Sequence, residues 1–169
     1  MKWSNCVMSS VSAVALGFLT LGLASTPADA ATATANLGVS ATIVATCTIS
    51  TTAVAFGNYI GAQVTSSVGG VSVTCTNTTP YSIGLGTGLG TGATVSTRAM
   101  TGPASAQLSY GLYTDSGYSA NWNDIGGSGI PTPTGNGSAQ PLTVYGKIPA
   151  GQYLAPGSYA DTVIATVSY

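Results

Sequence analysis

The sequence predicts an all-β domain, and three observations support this fold class. Charged residues make up only 4% of the 169 residues, and Glu is absent. Strong helix formers are therefore scarce, whereas Thr, Ser, Val, Tyr and Gly, which favour strands and turns, are abundant. Apolar and polar residues also alternate over long stretches, which is typical of strands with one buried face. Long amphipathic helices are nearly excluded, and the length suits one domain.

The first thirty residues have the layout of a removable export signal. Lys2 supplies the positive start, residues 7–24 form an apolar stretch, and Ala28 and Ala30 provide the small residues of a cleavage site. A transmembrane anchor is the alternative, but the Ser content of the stretch and the break at Pro27 favour a signal that is removed. We therefore expect cleavage after Ala30, export, and no stable membrane insertion.

Cleavage after Ala30 would leave two cysteines, Cys47 and Cys75. In an exported protein an even number of cysteines favours a disulfide over two free thiols. Closing a loop of about 28 residues contributes on the order of 3 to 4 kcal/mol in the chain-entropy description of disulfides. A metal site that uses two cysteines and no His is the weaker alternative.

The first predicted element is unusually long. Apolar residues occupy the odd positions from Ala31 to Ile49, and only Val44 interrupts the polar or small residues at the even positions. A period of two indicates an extended chain with one buried face, but strands usually have about five or six residues. The stretch therefore either crosses between two sheets or divides into two structural units.

Shorter strands follow, separated by segments rich in Gly, Pro and polar residues. We predict a turn at Gly69 and Gly70 and a long exposed loop over residues 115–137. The glycines at alternate positions of residues 84–92 lack the spacing and the following helix of a phosphate-binding loop, so we interpret them as a strand that runs into a flexible loop. The predicted strands are residues 71–75, 80–83, 107–113, 142–148 and 161–169.

This succession of strands and turns favours a β-sandwich of the immunoglobulin type. Trp122 lies after both cysteines instead of between them. A true antibody-like domain is therefore disfavoured.

The composition argues against an enzyme. Because the chain contains no His, Ser-His-Asp and Cys-His arrangements and His-ligated metal sites are excluded. We interpret Asp115, Asp124 and Asp161 as turn residues and not as an acid–base pair or a calcium site. Arg98 fits a structural hydrogen bond or ion pair, and together with Lys147 it is too little positive charge for nucleic-acid binding. We expect no catalytic residue, no metal, no cofactor and no nucleic-acid partner.

Several local patterns occur together, in one order, over residues 37–169. They are Thr46-Cys47-Thr48-Ile49, Phe56-Gly57-Asn58-Tyr59, Gly70-Val71-Ser72-Val73-Thr74-Cys75-Thr76, Arg98-Ala99-Met100, Leu108-Ser109-Tyr110-Gly111-Leu112-Tyr113-Thr114-Asp115, Val144-Tyr145-Gly146-Lys147-Ile148 and Gly157-Ser158-Tyr159-Ala160-Asp161-Thr162-Val163. Together they resemble the spore coat protein U family, which includes rod subunits of archaic, Csu-type chaperone-usher pili.

The resemblance implies an incomplete immunoglobulin-like β-sandwich that lacks its last strand. In such pilins a periplasmic chaperone lends a strand to the subunit. During polymerisation at an outer-membrane usher, the N-terminal extension of the next subunit replaces that strand. The chain would then consist of a signal peptide (residues 1–30), a donor-strand extension (residues 31–40) and a pilin domain (residues 41–169).

The resemblance also gives roles to the alternating residues. Four side chains would enter the groove of a neighbouring subunit. Four odd positions from residue 43 onward would belong to the subunit's own first core strand, and the final strand would line part of the groove. The donor residues are Ala33, Ala35, Leu37 and Val39, the residues of the first core strand are Ile43, Ala45, Cys47 and Ile49, and the groove residues are Val163, Ala165, Val167 and Tyr169.

The implied function is that of a structural pilus subunit that supports adhesion and biofilm formation. Its partners would be identical or related subunits, a periplasmic chaperone and an outer-membrane usher, and it would pass through the periplasm into a cell-surface fibre. A tip adhesin is one alternative, although it should carry an additional binding domain. A secreted coat or matrix protein that completes its own sandwich is another, and an assembly measurement separates it from a pilin.

The exported protein should have the intact mass of residues 31–169 less two hydrogens, because cleavage after Ala30 leaves the Cys47–Cys75 pair to oxidise. Mass spectrometry of the secreted or surface fraction, with and without alkylation of free thiols, measures both features. A retained N-terminus or two alkylated thiols would contradict the expectation.

Overall fold

The structure, a computed structural model, describes residues 30–169. The predicted signal peptide thus lies outside the described residues, except for Ala30. The chain divides after Ser40 into two units. In the first unit, residues 30–40 are exposed and have no helix or strand. No helix within residues 30–169 has the length and apolar character needed to cross a membrane.

Seven antiparallel strands form the second unit. They are β1 (Cys47–Thr52), β2 (Thr65–Cys75), β3 (Ser82–Leu85), β4 (Arg98–Thr101), β5 (Gln107–Tyr113), β6 (Gln140–Ile148) and β7 (Ala165–Ser168), and a short 3-10 helix covers Pro103–Ser105. One sheet has five strands in the order β1-β2-β6-β5-β4, and the other has two, β3 and β7. The prediction of an all-β fold is confirmed.

Alternating side chains of both sheets form the core. Along β2, for example, Val71, Val73 and Cys75 are buried while Ser72 and Thr74 are partly exposed, as expected for a strand with one face in the interior. The buried cluster joins residues from both sheets, so the two sheets pack as a sandwich. Its members are Val71, Val73, Cys75, Tyr81, Ile83, Leu85, Leu108, Tyr110, Leu112, Trp122, Val144 and Ile148.

The predicted disulfide joins Cys47 and Cys75 at the end of the β1–β2 ladder, where the two residues lie directly opposite each other. Because β2 ends at Cys75, no strand residue lies opposite the chain before Cys47, and β1 begins there. The expectation that Ile43 and Ala45 belong to the first core strand is therefore wrong. Both side chains are exposed, Ile43 by 86%.

The predicted turn at Gly69 and Gly70 is also wrong, because both residues lie inside β2. Gly69 pairs with Val144 of β6, and Gly70 pairs with Thr52 of β1 as well as with Thr143 of β6. A Cβ atom at Gly69 would lie 2.7 Å from Val54 Cγ2. The glycine is thus needed for packing and not for a reversal of the chain.

The segment predicted as an exposed loop, residues 115–137, contains a central core residue. Trp122 is only 1% exposed. Its indole Nε1 donates a hydrogen bond of 2.9 Å to Ile83 O, and its backbone N donates one of 2.9 Å to Leu112 O. The irregular segment therefore connects β3 to β5 across the interior.

Several glycines of residues 84–92 lie against other parts of the same chain, whereas Gly92 faces open space. Gly84 is covered by the backbone of Asp124 and Ile125, and a Cβ atom there would collide with both. Gly88 has a φ of +85° and lies against the Asp161 carboxyl. This run therefore follows β3 as packed backbone, because its missing side chains make room for neighbouring segments.

The Arg98 guanidinium is fully buried, as its exposed fraction of 0% shows, and it is structural, as the sequence indicated. Nε donates to Gly86 O at 2.8 Å, Nη1 to Val95 O at 2.7 Å, and Nη2 to Leu85 O at 2.7 Å and Trp122 O at 2.8 Å. Burial lowers the pKa of this guanidinium. Arg98 therefore connects β4 to the chain after β3 and to the Trp122 segment.

Arg98→Met should lower the free energy of unfolding by about 3 kcal/mol or more, because it leaves four carbonyl oxygens without their donor in the interior. Urea unfolding of the exported protein measures the change. Lys147→Met, which removes a partly exposed cation, is the matched control and should change stability by less than about 1 kcal/mol. Equal effects of the two changes would contradict the role given to Arg98.

Candidate functional site: an open apolar groove

An open groove of about 1070 Å³ lies along the interior of the sandwich. Its base consists of core side chains, and two irregular segments form its walls. The base includes Val71, Leu85, Leu108, Tyr110, Leu112, Val144 and Ile148, and the walls are residues 51–59 and residues 152–161 together with Val163 and Ala165. The groove therefore reaches the core from one side, although the base side chains themselves are only 1% to 6% exposed.

The first wall follows β1, whose pairing with β2 ends at Thr52 opposite Gly70. Val54 and Phe56 then turn towards the core, and the Phe56 ring packs edge-on against Tyr110 with a centroid distance of 6.0 Å. Gly146 of β6 makes room for both side chains, because a Cβ atom there would lie 2.5 Å from Val54 Cγ1 and 2.7 Å from the Phe56 ring.

The second wall leads into β7. The predicted strand over residues 161–169 is shorter in the structure, because its partner β3 pairs only with Ala165–Ser168. Val163 and Ala165 face the core, while Ile164 between them is 67% exposed. Within residues 30–169, β7 pairs with β3 alone. Its other edge is thus a row of backbone groups available to a further strand.

The structure brings two of the four predicted groove residues into this site. Val163 and Ala165 line the groove. Val167 packs against the core farther along β7 and is outside the lining, and Tyr169 is 60% exposed. The strand alternation predicted which side chains of β7 face inward, but it did not show where along the strand the groove ends.

Sequence reasoning missed the residues of the first wall. Val54 and Phe56 follow β1 directly in the segment Ala53-Val54-Ala55-Phe56, where every residue is apolar and no alternation of polar and apolar positions is visible. The pattern Phe56-Gly57-Asn58-Tyr59 pointed to this segment through the family resemblance, but it did not indicate that Phe56 lines a groove.

At one end of the groove, the Gln152 side chain pairs with the backbone of Ser109 as a neighbouring strand would. Gln152 Oε1 accepts from Ser109 N at 2.7 Å, and Gln152 Nε2 donates to Ser109 O at 2.9 Å. Tyr59 Oη donates to Pro149 O at 2.8 Å and accepts from Gln152 N at 3.2 Å. The two walls are therefore tied to each other and to β5 at this end.

A polar pair interrupts the apolar lining. Tyr110 Oη donates to Asp161 Oδ2 at 2.7 Å, and Asp161 Oδ1 accepts from Leu89 N and Thr162 N, each at 2.7 Å. Burial, and secondly the hydrogen bond to Asp161, raises the pKa of the Tyr110 phenol above its usual value. The carboxylate is thus satisfied by three donors and serves as a structural acceptor.

The other two acidic residues predicted in turns lie away from this pair. Asp115 accepts hydrogen bonds from Ser119 N and Ala120 N, and these bonds lower its pKa, with Ala120 contributing most. Asp124 accepts from the neighbouring Ile125 N. Among residues 30–169, no three His, Cys, Asp or Glu side chains are grouped closely enough to hold a metal ion.

The groove suits an extended peptide chemically. The unpaired edge of β7 offers backbone hydrogen bonds at one side, and the apolar lining of the groove offers contacts to every second side chain of a bound strand. The predicted donor residues are accessible for such binding, because Ala33 and Ala35 are exposed and Leu37 and Val39 are exposed by 87% and 88%.

Comparison with known proteins gives three similarities. The Spore Coat Protein U domain family matches residues 33–166. Protein U of Myxococcus xanthus is 38% identical over 181 aligned positions, which cover 98% of this chain and 99% of that protein. One chain of the CsuC-CsuE chaperone-tip adhesion subunit pre-assembly complex, from the archaic chaperone-usher Csu pili of Acinetobacter baumannii, superimposes with a TM-score of 0.56.

That superposition has 24% sequence identity and covers 76% of this chain. The chain spans 40% of the length of the solved chain that it matches. At this identity the likeness shows the fold, an all-β sandwich of the immunoglobulin-like type found in chaperone-usher pilus subunits.

Tyr110→Phe should lower the free energy of unfolding by about 1.5 to 3 kcal/mol, because it removes a hydrogen bond to a charged carboxylate beside the groove. Urea unfolding at neutral pH measures the loss. Tyr153→Phe, at a position that is 80% exposed, is the control and should leave stability nearly unchanged.

The difference between wild type and Tyr110→Phe should also shrink above about pH 10. The raised pKa keeps the phenol protonated in the folded state, whereas the unfolded tyrosine ionises near its ordinary pKa of about 10. The stabilisation is therefore complete below that pH and is lost as pH rises towards the folded-state pKa. A difference that stays constant from pH 8 to pH 11 would contradict this account.

Proposed function

The chain belongs to the Spore Coat Protein U domain family, and from this premise we propose that it is a structural subunit of a surface pilus assembled by the chaperone-usher pathway. The observation that carries the proposal is the open groove beside the unpaired edge of β7. An apolar groove beside an unpaired strand edge favours binding of a strand from elsewhere.

The N-terminal segment of a neighbouring subunit is the strand that we propose for this groove. In the segment before β1, Ala33, Ala35, Leu37 and Val39 share one face of an extended chain, and all four are exposed. Burial of Leu37 and of Val39 would contribute about 1.5 to 3 kcal/mol each, and each net backbone hydrogen bond about 0.5 to 1.5 kcal/mol. A complete strand thus gives a strong joint between subunits.

Before assembly, we propose that a periplasmic chaperone covers the groove and that an outer-membrane usher exchanges the chaperone for the next subunit. The solved complex with the similar fold contains a chaperone together with a tip adhesion subunit of Csu pili, which supports a chaperone as partner. An apolar groove that is not yet filled favours aggregation, which explains why such a partner is needed during export.

In the proposed assembly route, each segment of the chain has its own role. Residues 1–30 direct export and are removed, residues 31–40 form the donor extension, and residues 41–169 form the pilin domain. The subunit passes through the periplasm and ends in a fibre at the cell surface. There we propose that it supports adhesion and biofilm formation as a structural element without catalytic activity.

The second candidate is a coat or matrix protein that fills its groove with its own N-terminal segment. The family name and the 38% identity to Protein U over nearly the whole of both chains support this second candidate. The two functions differ in one observable property. A pilin polymerises through the groove, whereas a self-completed protein remains a stable monomer without a chaperone.

Leu37→Arg should abolish polymers that survive heating in detergent, because the guanidinium would have to enter the apolar groove of the neighbour without a partner, at a cost of several kcal/mol. Thr34→Arg, on the opposite face of the same segment, should polymerise like wild type. Non-reducing gels of heated and unheated surface extracts measure the polymers, with the subunit expressed together with its chaperone and usher.

Equal polymer for wild type and both variants would reject donor-strand exchange through this segment. A wild-type protein that is purified as a stable monomer without a chaperone would favour the self-completed alternative.

A further inference from the structure

A large apolar residue that follows the donor extension, Ile43, is not buried in the described structure. Ile43 is 86% exposed, as much as Leu37 and Val39. Leu37, Val39 and Ile43 all occupy odd positions in the alternating stretch. Their side chains would therefore share one face of an extended chain. β2 ends at Cys75 opposite Cys47, so no strand of the same subunit lies opposite Ile43.

The chain becomes anchored just after Ile43. Thr46 N donates to Thr76 Oγ1 at 2.9 Å, and Thr76 N donates to Thr46 O at 2.9 Å. The Thr76 hydroxyl also lies 3.4 Å from Val44 O, and the disulfide follows at Cys47. By contrast, residues 30–43 form no hydrogen bond with any other described residue. The free segment therefore extends to Ile43 and beyond the boundary at residue 40 that the sequence predicted.

Strand registers shifted by an even number of residues keep the same face inward, and two such registers differ by four residues. The first places Ala33, Ala35, Leu37 and Val39 in the groove. The second, shifted by four residues, places Leu37, Val39, Ala41 and Ile43 there. Both use Leu37 and Val39, so the choice depends on the remaining pair of side chains.

Side-chain size favours the second register. The groove opens onto large core residues and has a volume of about 1070 Å³. Ala33 and Ala35 would each add a single methyl group and leave space unfilled, whereas Ile43 fills space and removes an exposed aliphatic side chain from water. Unfilled apolar volume destabilises a core, and exposed apolar clusters favour association.

We infer that the donor strand is residues 37–43 and that Ile43 is its C-terminal anchor, with Ala33 and Ala35 outside the apolar groove. The inference rests on the proposed function, since it specifies how one subunit engages the next. In this register only Val44 and Ala45 connect the donor to the anchored Thr46. Ile43 and Thr46 are three residues apart along the chain, so their Cα atoms lie at most about 11 Å apart, and consecutive subunits must lie close to each other.

The test compares three arginine variants of the full-length subunit, expressed with its chaperone and usher. Ile43→Arg should abolish heat-resistant polymers. Ala33→Arg, outside the groove, should leave them at the wild-type level. Thr42→Arg, adjacent to Ile43 on the opposite face, is the matched control and should also polymerise. Oxidation of Cys47 and Cys75 in the periplasmic subunit reports whether each variant has folded.

A milder change covers the case in which Ile43→Arg fails to accumulate. Ile43→Ala adds no charge and leaves a gap in the groove, so its polymers should dissociate at a lower temperature than those of wild type. Ala33→Ser should leave the dissociation temperature unchanged. The detergent concentration is kept constant, and dissociation is followed on gels over a temperature series.

These experiments distinguish a wrong strand register from a wrong assembly mechanism. Loss of polymer with Ala33→Arg, or unchanged polymer stability with Ile43→Ala, would overturn the 37–43 register and leave donor-strand exchange in place if Leu37→Arg still blocks assembly. Normal polymers from Leu37→Arg would overturn donor-strand exchange itself, and the register with it.

Discussion

A hydrophobic core that remains open along one side is the constraint on which the rest of the structure depends. Within residues 30–169, β1 stops pairing at Thr52 and β7 pairs only with β3, and a groove lined by core side chains of both sheets opens beside these strands. Buried apolar area is the main source of stability in a small domain. Under the proposed function, this sandwich takes up one more strand, and the alternation of residues 31–39 is the pattern of such a strand.

The few charged and amide side chains of the domain hold its irregular segments around this opening. Arg98 binds four carbonyl oxygens and connects β4 to the Trp122 segment, Asp161 fixes Tyr110 and the chain before β7, and Gln152 pairs with Ser109 of β5. Arg98 and Gln152 bind backbone groups directly, and Asp161 also accepts from Leu89 N and Thr162 N. A chain with 4% charged residues thus uses its polar groups mainly to position its backbone.

Strong alternation made much of the fold predictable. The predicted strand over residues 107–113 has the same bounds as β5, and the Cys47–Cys75 disulfide followed from cysteine number and export. What the sequence could not show depends on distant contacts. Trp122 lies in a segment full of turn residues and is buried because Ile83 and Leu112 hold it. Gly69 signals a turn locally but lies inside β2, where Val54 occupies its open face.

The groove was predictable in part for the same reason. The period of two showed which side chains of β7 point inward, including Val163 and Ala165. It could not show that Val54 and Phe56 form the opposite wall, because their segment is uniformly apolar. Nor could it place the start of β1, which is fixed by the end of β2 at Cys75. That boundary decides how much of the N-terminal segment is free to leave its own subunit.

Cryo-electron microscopy of the purified fibre would test the central claim most directly. The account predicts that every groove contains an extended strand whose density continues into Thr46 and β1 of the next subunit, with Leu37 and Val39 facing the core. Density that leads instead from the strand in the groove back to β1 of the same subunit would contradict assembly by exchange. An empty groove in the fibre would contradict the account altogether.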